Sequence, residues 1–236
     1  MKDHEMFFIL RHDVDSPFVY RKGLFKRTLN KIYLSYPALP GKELFPGHLE
    51  ALRLALEIEE EYNAKGTFFF RTVTLPTRNL QAKIIQNGHE IAFHADRITT
   101  FQEFQEDLNI LLEKTKCRIL GFTKHGFAKV RGGGEWNENK MIEYANLARL
   151  KYLAQGVEHP DWDGPRMVKG VYSFGHHLTV WNSTLDDMIT YIKNGKSPML
   201  LLHPEDLFID GVKDKFIAIL KVAKAITVST ALGLAQ

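Results

Sequence analysis

The chain has 236 residues, of which 44% are hydrophobic and 25% are charged. These values are ordinary for a globular protein and exclude a long disordered segment, and the length suits a single α/β barrel of about 200–250 residues. The formal net charge of +3 is small and dispersed, which argues against nucleic-acid binding, because nucleic-acid-binding proteins concentrate basic charge on one face.

Targeting and redox signals are also weak. The first apolar run, residues 6–10, is too short for a signal peptide, and no later run approaches the about 18 apolar residues of a membrane span. Cys117 is the only cysteine, so no intrachain disulfide is possible. We therefore expect a cytoplasmic protein that forms one domain over residues 1–236 and has no membrane or nucleic-acid partner.

Strand-like runs alternate with helical patterns, which predicts βα units around a parallel sheet. The predicted strands are residues 6–12, 67–73, 89–94, 118–123, 151–155, a hairpin or two short strands within 171–181, 199–203 and 226–230. The predicted helices are residues 48–63, 79–86, one opened by a Thr100–Glu103 capping box, 138–150, one capped by Ser183 or Thr184, and 212–225. The proline-containing segment 17–46 is predicted to be an irregular, lid-like insertion.

Polar side chains stand where the predicted strands end. Asp13 and Asp15 follow the first strand, His94 ends the third, His125 follows the fourth and His203 ends a late one. In a parallel barrel these ends share one mouth, where such folds keep their active sites. Two carboxylates and three imidazoles at one mouth are the side chains of a metal-dependent hydrolase.

Each of these residues also has a structural interpretation. An Asp after a strand often caps a turn, and a lone His at a strand end is often only a hydrogen-bonded structural residue. His89 opens its strand and is interpreted as structural. Because neighbours on a strand face opposite ways, at most one of His176 and His177 reaches any site.

Four motifs resemble those of the polysaccharide deacetylases, the carbohydrate esterases of the NodB-homology type. The sequence LRHDVDSP at residues 10–17 resembles the first motif of the family in an Asp-x-Asp form, and GTFFF at 66–70 is similar to its second strand. The sequence GHEIAFH at 88–94 resembles the approach to the first metal-binding His, and LLLHP at 200–204 resembles the late motif that carries the catalytic His.

This resemblance implies a deformed (β/α) barrel of about seven to eight strands with a divalent metal, commonly zinc. By position in the motifs, Asp13 would be the general base and His203 the general acid. Asp15 and His94 would be metal ligands.

Two positions depart from the family pattern. The second metal-binding His of the family falls four residues after the first, and Ile98 stands there. The third motif, with an Arg and a Pro in the family, has Lys124 and then His125 before Gly126. We hypothesise that His125 substitutes as the third ligand, because a catalytic zinc takes three protein ligands.

Three further residues are candidates for substrate binding. Trp162 resembles the hydrophobic wall that holds the acetyl methyl group in the family, although a loop Trp that only anchors a lid fits equally well. Lys124 and Arg11 are candidates to steady a substrate or a carboxylate, as the missing Arg of the family would; a structural ion pair is the alternative.

The expected function is metal-dependent hydrolysis of a carbon–nitrogen, non-peptide bond in an N-acetylated carbohydrate or a small amide. The alternative is a catalytically inactive sugar-binding or regulatory barrel that has lost part of its metal site. Ile98 favours the alternative, whereas the presence of Asp13, Asp15 and His203 together favours catalysis.

Overall fold

A computed structural model describes residues 6–15, 47–125, 137–155, 157–158, 164–180, 183–194 and 198–234. The predicted insertion at 17–46 and Trp162 therefore lie outside the described residues. No helix among the described residues is long and apolar enough to cross a membrane.

Most strands of the described residues lie close to their predicted positions, but two short strands, at residues 157–158 and 165–168, fall where no strand was predicted. The strands are β1 (Phe7–Val14), β2 (Thr67–Phe70), β3 (Glu90–Ala95), β4 (Gly121–Lys124), β5 (Tyr152–Leu153), β6 (Val157–Glu158), β7 (Pro165–Val168), β8 (Val171–Phe174), β9 (His176–Thr179), β10 (Met199–Leu202) and β11 (Lys224–Ile226).

These strands form one curled sheet in the order β6-β9-β10-β1-β2-β3-β4-β5-β8-β7, with β11 paired to β1. All neighbours from β9 through β1 to β8 are parallel, whereas β7 pairs with β8 in the antiparallel direction. The run β9-β10-β1-β2-β3-β4-β5-β8 confirms the predicted deformed barrel of parallel strands.

One continuous segment links the two ends of this parallel run. β8 pairs with β5 at one end and β9 pairs with β10 at the other, yet only Gly175 separates β8 from β9 along the chain. The segment predicted as a hairpin or two short strands is thus two strands that do not pair with each other. Because this one segment pairs at both ends of the run, the sheet is curled so that its two ends approach each other.

Helices connect the strands, and all but the last cover the outside of the sheet, whereas the last packs against the smaller inner core. They are α1 (His48–Glu61), α2 (Arg78–Gln86), α3 (Phe101–Thr115), α4 (Glu138–Leu147), α5 (Leu185–Lys193), a 3₁₀ helix (Pro204–Phe208), α6 (Val212–Leu220) and α7 (Val228–Ala231). The predicted capping box opens α3, where Thr100 accepts a hydrogen bond from the Glu103 amide and Glu103 accepts one from the Thr100 amide. Thr184 and Asp187 form another at α5.

The central strands β1, β2, β3, β4 and β10 are buried on both faces, as expected of a parallel sheet with helices outside, whereas the antiparallel edge strand β7 is mostly exposed. Along β1, Phe8 and Leu10 lie in the larger core between sheet and helices, whereas Ile9 lies in a smaller core inside the barrel. On β2, Phe68 likewise lies in the larger core and Phe69 in the smaller one. This alternation decides which polar residues face the interior.

The predicted last strand, residues 226–230, is wrong for most of its length. β11 ends at Ile226, and α7 follows it, with Thr227 accepting a hydrogen bond from the Thr230 amide. The amides of Val228 and Ser229 donate to Thr67 Oγ1 at 2.8 Å and to Glu90 Oε2 at 3.0 Å. The helix forms because its free N-terminal amides meet buried acceptors at the start of β2 and β3.

Candidate metal centre at the carboxyl ends of the strands

Strand alternation carries the polar residues of β1 into the barrel. Ile9 lies in the inner core, so Arg11 and Asp13, which follow at intervals of two, share its face. Both side chains are buried, and Asp15 follows directly at the end of the strand. The same spacing leads from Ala92 in the inner core to His94 near the end of β3.

Three potential ligand atoms converge at this mouth. Asp15 Oδ1 lies 2.6 Å from His94 Nε2 and 3.1 Å from His125 Nδ1, and the two imidazole nitrogens are 3.2 Å apart. His94 is almost fully buried, whereas Asp15 and His125 are partly exposed. The predicted ligands from β1, β3 and β4 are therefore brought together.

His203 lies on the other side of Asp15. Its Nε2 is 3.2 Å from Asp15 Oδ2, and its Nδ1 is 3.1 Å from Asp206 Oδ2. Burial by itself would lower the pKa of His203, but the two carboxylates, and Asp15 above all, outweigh it and raise that pKa well above the usual value. His203 is therefore an imidazolium at neutral pH.

The Asp15 carboxylate is correspondingly acidic. Burial alone would raise its pKa, but the charges of His203 and His94 outweigh burial and hold the pKa well below its usual value. Asp15 is therefore ionised and has the negative charge that a metal ligand requires.

Asp13 is paired with Arg11. Arg11 Nε donates to Asp13 Oδ1 at 2.8 Å and Nη2 donates to Oδ2, while the remaining donors reach Thr123 Oγ1 at 2.7 Å and the Ala154 carbonyl at 2.5 Å. Burial opposes ionisation of Asp13, but Arg11 and then His94 outweigh it and lower the pKa. Arg11 is only 2% exposed, so its guanidinium steadies a carboxylate inside the protein.

Lys124 is the one predicted site residue among the described ones that does not join this cluster. Its neighbour Thr123 faces the interior, where it contacts Arg11, so the Lys124 side chain points to the opposite face. That face is the outer one, on which Phe122 packs in the larger core, and Lys124 is buried there.

The position of the missing His gives no ligand. Ile98 is 1% exposed and packs in the larger core outside the barrel. Asp96, the nearest carboxylate in sequence, accepts hydrogen bonds from Arg71 Nε at 2.9 Å and 2.8 Å. Neither residue reaches the cluster of Asp15, His94 and His125.

Sequence reasoning missed two residues near the cluster, Asp206 and Arg71. Asp206 lies three positions after the predicted acid, a spacing that could have indicated it. Arg71 directly follows β2, but the predicted strand ran to residue 73, so its position at the strand end was not visible in the sequence. Of the two adjacent histidines between which the sequence left the choice open, His177 is buried on β9, and its pKa is lowered to about 3, chiefly by burial and then by the charge of Arg11.

The donor set suits a divalent metal. Two imidazole nitrogens and one carboxylate oxygen are common ligands of a catalytic zinc, and such a site leaves one position open. The three ligand atoms all lie within 4.8 Å of one another, which allows a single ion to contact all three. Asp15, His94 and His125 thus fit the group that the sequence resemblance implies.

Solved structures share this fold. A candidate polysaccharide deacetylase from Mycobacterium smegmatis superposes with a TM-score of 0.63 at 15% identity, over 100% of this chain and 94% of that one. The peptidoglycan deacetylase PdaC of Bacillus subtilis gives 0.53 at 12% identity, over 99% and 93%. A CE4 family pseudoenzyme from Bacillus anthracis gives 0.51 at 13% identity, over 97% and 66%.

No protein-family model and no curated protein sequence matches the chain. The likeness is therefore one of fold, and the resemblance to polysaccharide deacetylases predicted from the motifs is confirmed at that level. The same fold thus occurs in proteins described as deacetylases and in one described as a pseudoenzyme.

Proposed function

We propose that this chain is a metal-dependent hydrolase of carbon–nitrogen, non-peptide bonds that deacetylates an N-acetylated carbohydrate or a related small amide. The observation that carries the proposal is the convergence of Asp15, His94 and His125 within 4.8 Å, beside a carboxylate and an imidazolium. A barrel that only bound sugar would not need this combination of charges in its interior, since each buried charge costs free energy.

The proposed metal ligands are Asp15, His94 and His125. Zinc is the proposed ion because two imidazoles and one carboxylate are ligands that it commonly takes. When bound, the ion would supply Lewis acidity that polarises the amide carbonyl.

Asp13 is the proposed general base. Its lowered pKa keeps it ionised at neutral pH, and its two hydrogen bonds with Arg11 fix the direction of the carboxylate. Each carboxylate oxygen keeps a lone pair for the proton of the attacking water. Arg11 acts through Asp13, so we assign it positioning rather than contact with substrate.

His203 is the proposed general acid. An amine leaves poorly unless its nitrogen is protonated, and an imidazolium at the mouth can supply that proton. The carboxylates of Asp15 and Asp206 face its two ring nitrogens, orient the ring and keep it charged.

The alternative is a catalytically inactive sugar-binding barrel. It is favoured by Ile98, which is buried outside the barrel, and by the presence of a pseudoenzyme among the proteins of the same fold. The two functions differ in turnover, because only the hydrolase releases acetate.

Acetate release from N-acetyl-chitooligosaccharides by the zinc-loaded protein tests the proposal. We expect release that Asp13→Asn and His203→Ala abolish and that His176→Ala leaves unchanged, since His176 is a half-buried strand histidine outside the proposed machinery. Release that persists in both variants would refute the assigned roles. Saturable sugar binding without any release would favour the inactive barrel.

Metal content gives a second, independent measurement. After zinc loading and dialysis, we expect about one ion per chain, because three ligands and one open position make one catalytic site. The double variant Asp15→Ala, His94→Ala should retain none. A native chain that retains no metal would mean that His125 does not replace the ligand absent at Ile98.

A further inference from the structure

Arg71 is a buried cation beside the proposed metal ligands. It follows β2 at its carboxyl end, and it is 5% exposed. A guanidinium in such a place must be paired or hydrogen bonded, because an isolated buried charge is very costly. Its partners therefore indicate what holds it there.

The Arg71 side chain joins two loops of the mouth. Nε donates to both carboxylate oxygens of Asp96, which follows β3 two residues after His94. Nη1 donates to the main-chain carbonyl of Asp15, which follows β1. One rigid, planar group thus binds the segment that carries one proposed ligand to the segment that carries another.

The turn that begins at Arg71 also fixes Val14, the residue of β1 that precedes Asp15. Thr74 Oγ1 donates to the Val14 carbonyl at 2.7 Å and accepts a hydrogen bond from the Arg71 amide at 3.2 Å. Thr74 is fully buried. Two consecutive carbonyls of the strand end, those of Val14 and Asp15, are therefore fixed by one turn after β2.

The ligand set makes such a link necessary. A second His placed four residues after His94 would supply two ligands from one segment, but Ile98 occupies that position and packs outside the barrel. The ligands come instead from the ends of β1, β3 and β4, and separate loops must be ordered relative to one another at a cost in conformational entropy. Fixing the loops in advance reduces that cost on binding.

We propose that Arg71, through Asp96 and the Asp15 carbonyl, is a positioning residue that sets the spacing of Asp15 and His94 for metal binding. This inference rests on the proposed function, since it concerns the same site. Arg71 and Asp96 offset each other's charge, so the pair orders the site without placing an uncompensated cation next to the metal.

The test measures zinc affinity by competition with a chelator in the folded protein. We expect Arg71→Ala to weaken zinc binding about 10–100-fold, the usual loss when a residue that orients a metal ligand is removed. Arg71→Lys should recover part of the affinity, because an ammonium can pair with Asp96 but cannot hold both partners in a planar fork. Asp96→Asn, which keeps the contact to the Asp15 carbonyl, should have an intermediate effect.

Arg97→Ala is the matched control. Arg97 also binds an aspartate, with Nη2 at 2.7 Å from Asp107 Oδ1, but this pair lies outside the ligand cluster. We expect its loss to leave zinc affinity unchanged. Circular dichroism and urea unfolding verify that each variant is folded, and Thr74→Val and Asp96→Asn replace Arg71→Ala if that variant does not fold.

The ring ¹⁵N shifts of His94 in the metal-free protein separate this inference from the proposed function. They report the hydrogen bond between His94 Nε2 and Asp15 Oδ1, and we expect them to change in Arg71→Ala but not in Arg97→Ala. A native chain that binds no zinc but shows this change would reject the metal site and support the positioning role. Unchanged shifts with native zinc affinity in Arg71→Ala would overturn the inference.

Discussion

His125, the proposed third ligand, stands where the related motif of the family has a Pro. Its Nδ1 lies 3.1 Å from Asp15 Oδ1 and 3.2 Å from His94 Nε2, and it comes from β4 rather than from the loop after β3. The proposed replacement from a neighbouring strand is geometrically possible because the carboxyl ends of parallel strands meet at one mouth.

Replacement of His125 tests this substitution. We expect His125→Ala to weaken zinc binding more than the about 10–100-fold typical of residues that only orient a ligand. His176→Ala should have no effect, and adding Ile98→His to His125→Ala should not restore binding, because position 98 lies in the outer core. Zinc affinity at the native level in His125→Ala would contradict the assignment.

Arg11 and Asp13 form a buried ion pair. Its contribution to the stability of the protein can be measured without any assay of activity. Arg11→Met leaves the Asp13 carboxylate buried without a counter-charge, and we expect the free energy of unfolding to fall by about 3–5 kcal/mol. Adding Asp13→Asn should recover part of this loss. Urea unfolding measures both.

An exposed pair is the control for this experiment. On α1, Arg53 Nη1 lies 3.3 Å from Glu50 Oε1, and both side chains are more than half exposed. Arg53→Met should change the free energy of unfolding by less than about 1 kcal/mol. If Arg11→Met were as mild as Arg53→Met, the buried pair would not be the main support of the Asp13 carboxylate.

At the scale of elements, the amino end of the barrel depends on a contact between β4 and β5. A Cβ added to Gly121 would lie 2.2 Å from Cε2 of Tyr152, so only glycine leaves room for that ring. The ring crosses the interior, and its hydroxyl donates to Glu90 Oε1 at 2.8 Å. Glu90 in turn accepts the Ser229 amide of α7.

Gly121→Ala should therefore destabilise the protein by about 1–3 kcal/mol, the usual cost of overpacking a core. Gly175→Ala is the matched control: a Cβ there meets no atom within 4 Å, and we expect a change within about 0.5 kcal/mol. Thermal or urea unfolding compares them. Equal stability of the two variants would mean that the Tyr152 ring can move aside without losing its hydrogen bond to Glu90.

At the scale of the whole molecule, buried histidines predict sensitivity to acid. Burial lowers the pKa of His89 to about 4, although the Glu59 carboxylate opposes the shift, and burial lowers the pKa of His177 to about 3. In the unfolded chain both should titrate near the ordinary histidine pKa of about 6.5. The unfolded state thus binds more protons below that pH, so stability falls as the pH drops from about 6.5 to about 4.

For His89 alone the loss could reach about 3 kcal/mol, since one pKa unit corresponds to about 1.4 kcal/mol. His89→Gln should flatten the dependence of the unfolding free energy on pH, because glutamine does not titrate. The variant should still fold, since a glutamine oxygen can accept the hydrogen bond that the Gly66 amide donates to His89 Nδ1. Urea unfolding at several pH values between 7 and 4 measures the slope. An unchanged slope in His89→Gln would show that other groups cause the acid sensitivity.

Local sequence patterns were enough to predict much of this molecule. Alternating strand and helix patterns predicted the parallel barrel, the Thr100–Glu103 spacing predicted the capping box of α3, and the positions of Asp13, Asp15 and His203 at strand ends predicted that they would share one mouth. Such signals are readable because strand ends, caps and periodicity depend on neighbours in the chain.

Only the tertiary structure decided the rest, because the deciding contacts join residues far apart in sequence. Residues 228–231 are helical because Thr67 and Glu90 accept the amides of Val228 and Ser229. The role of Arg71 in joining the segments of Asp15 and His94 follows only from its contacts with Asp96 and the Asp15 carbonyl. The sequence by itself determined that carboxylates and imidazoles stand at the strand ends; the packing of distant strands and loops decided which of them meet and what holds them in place.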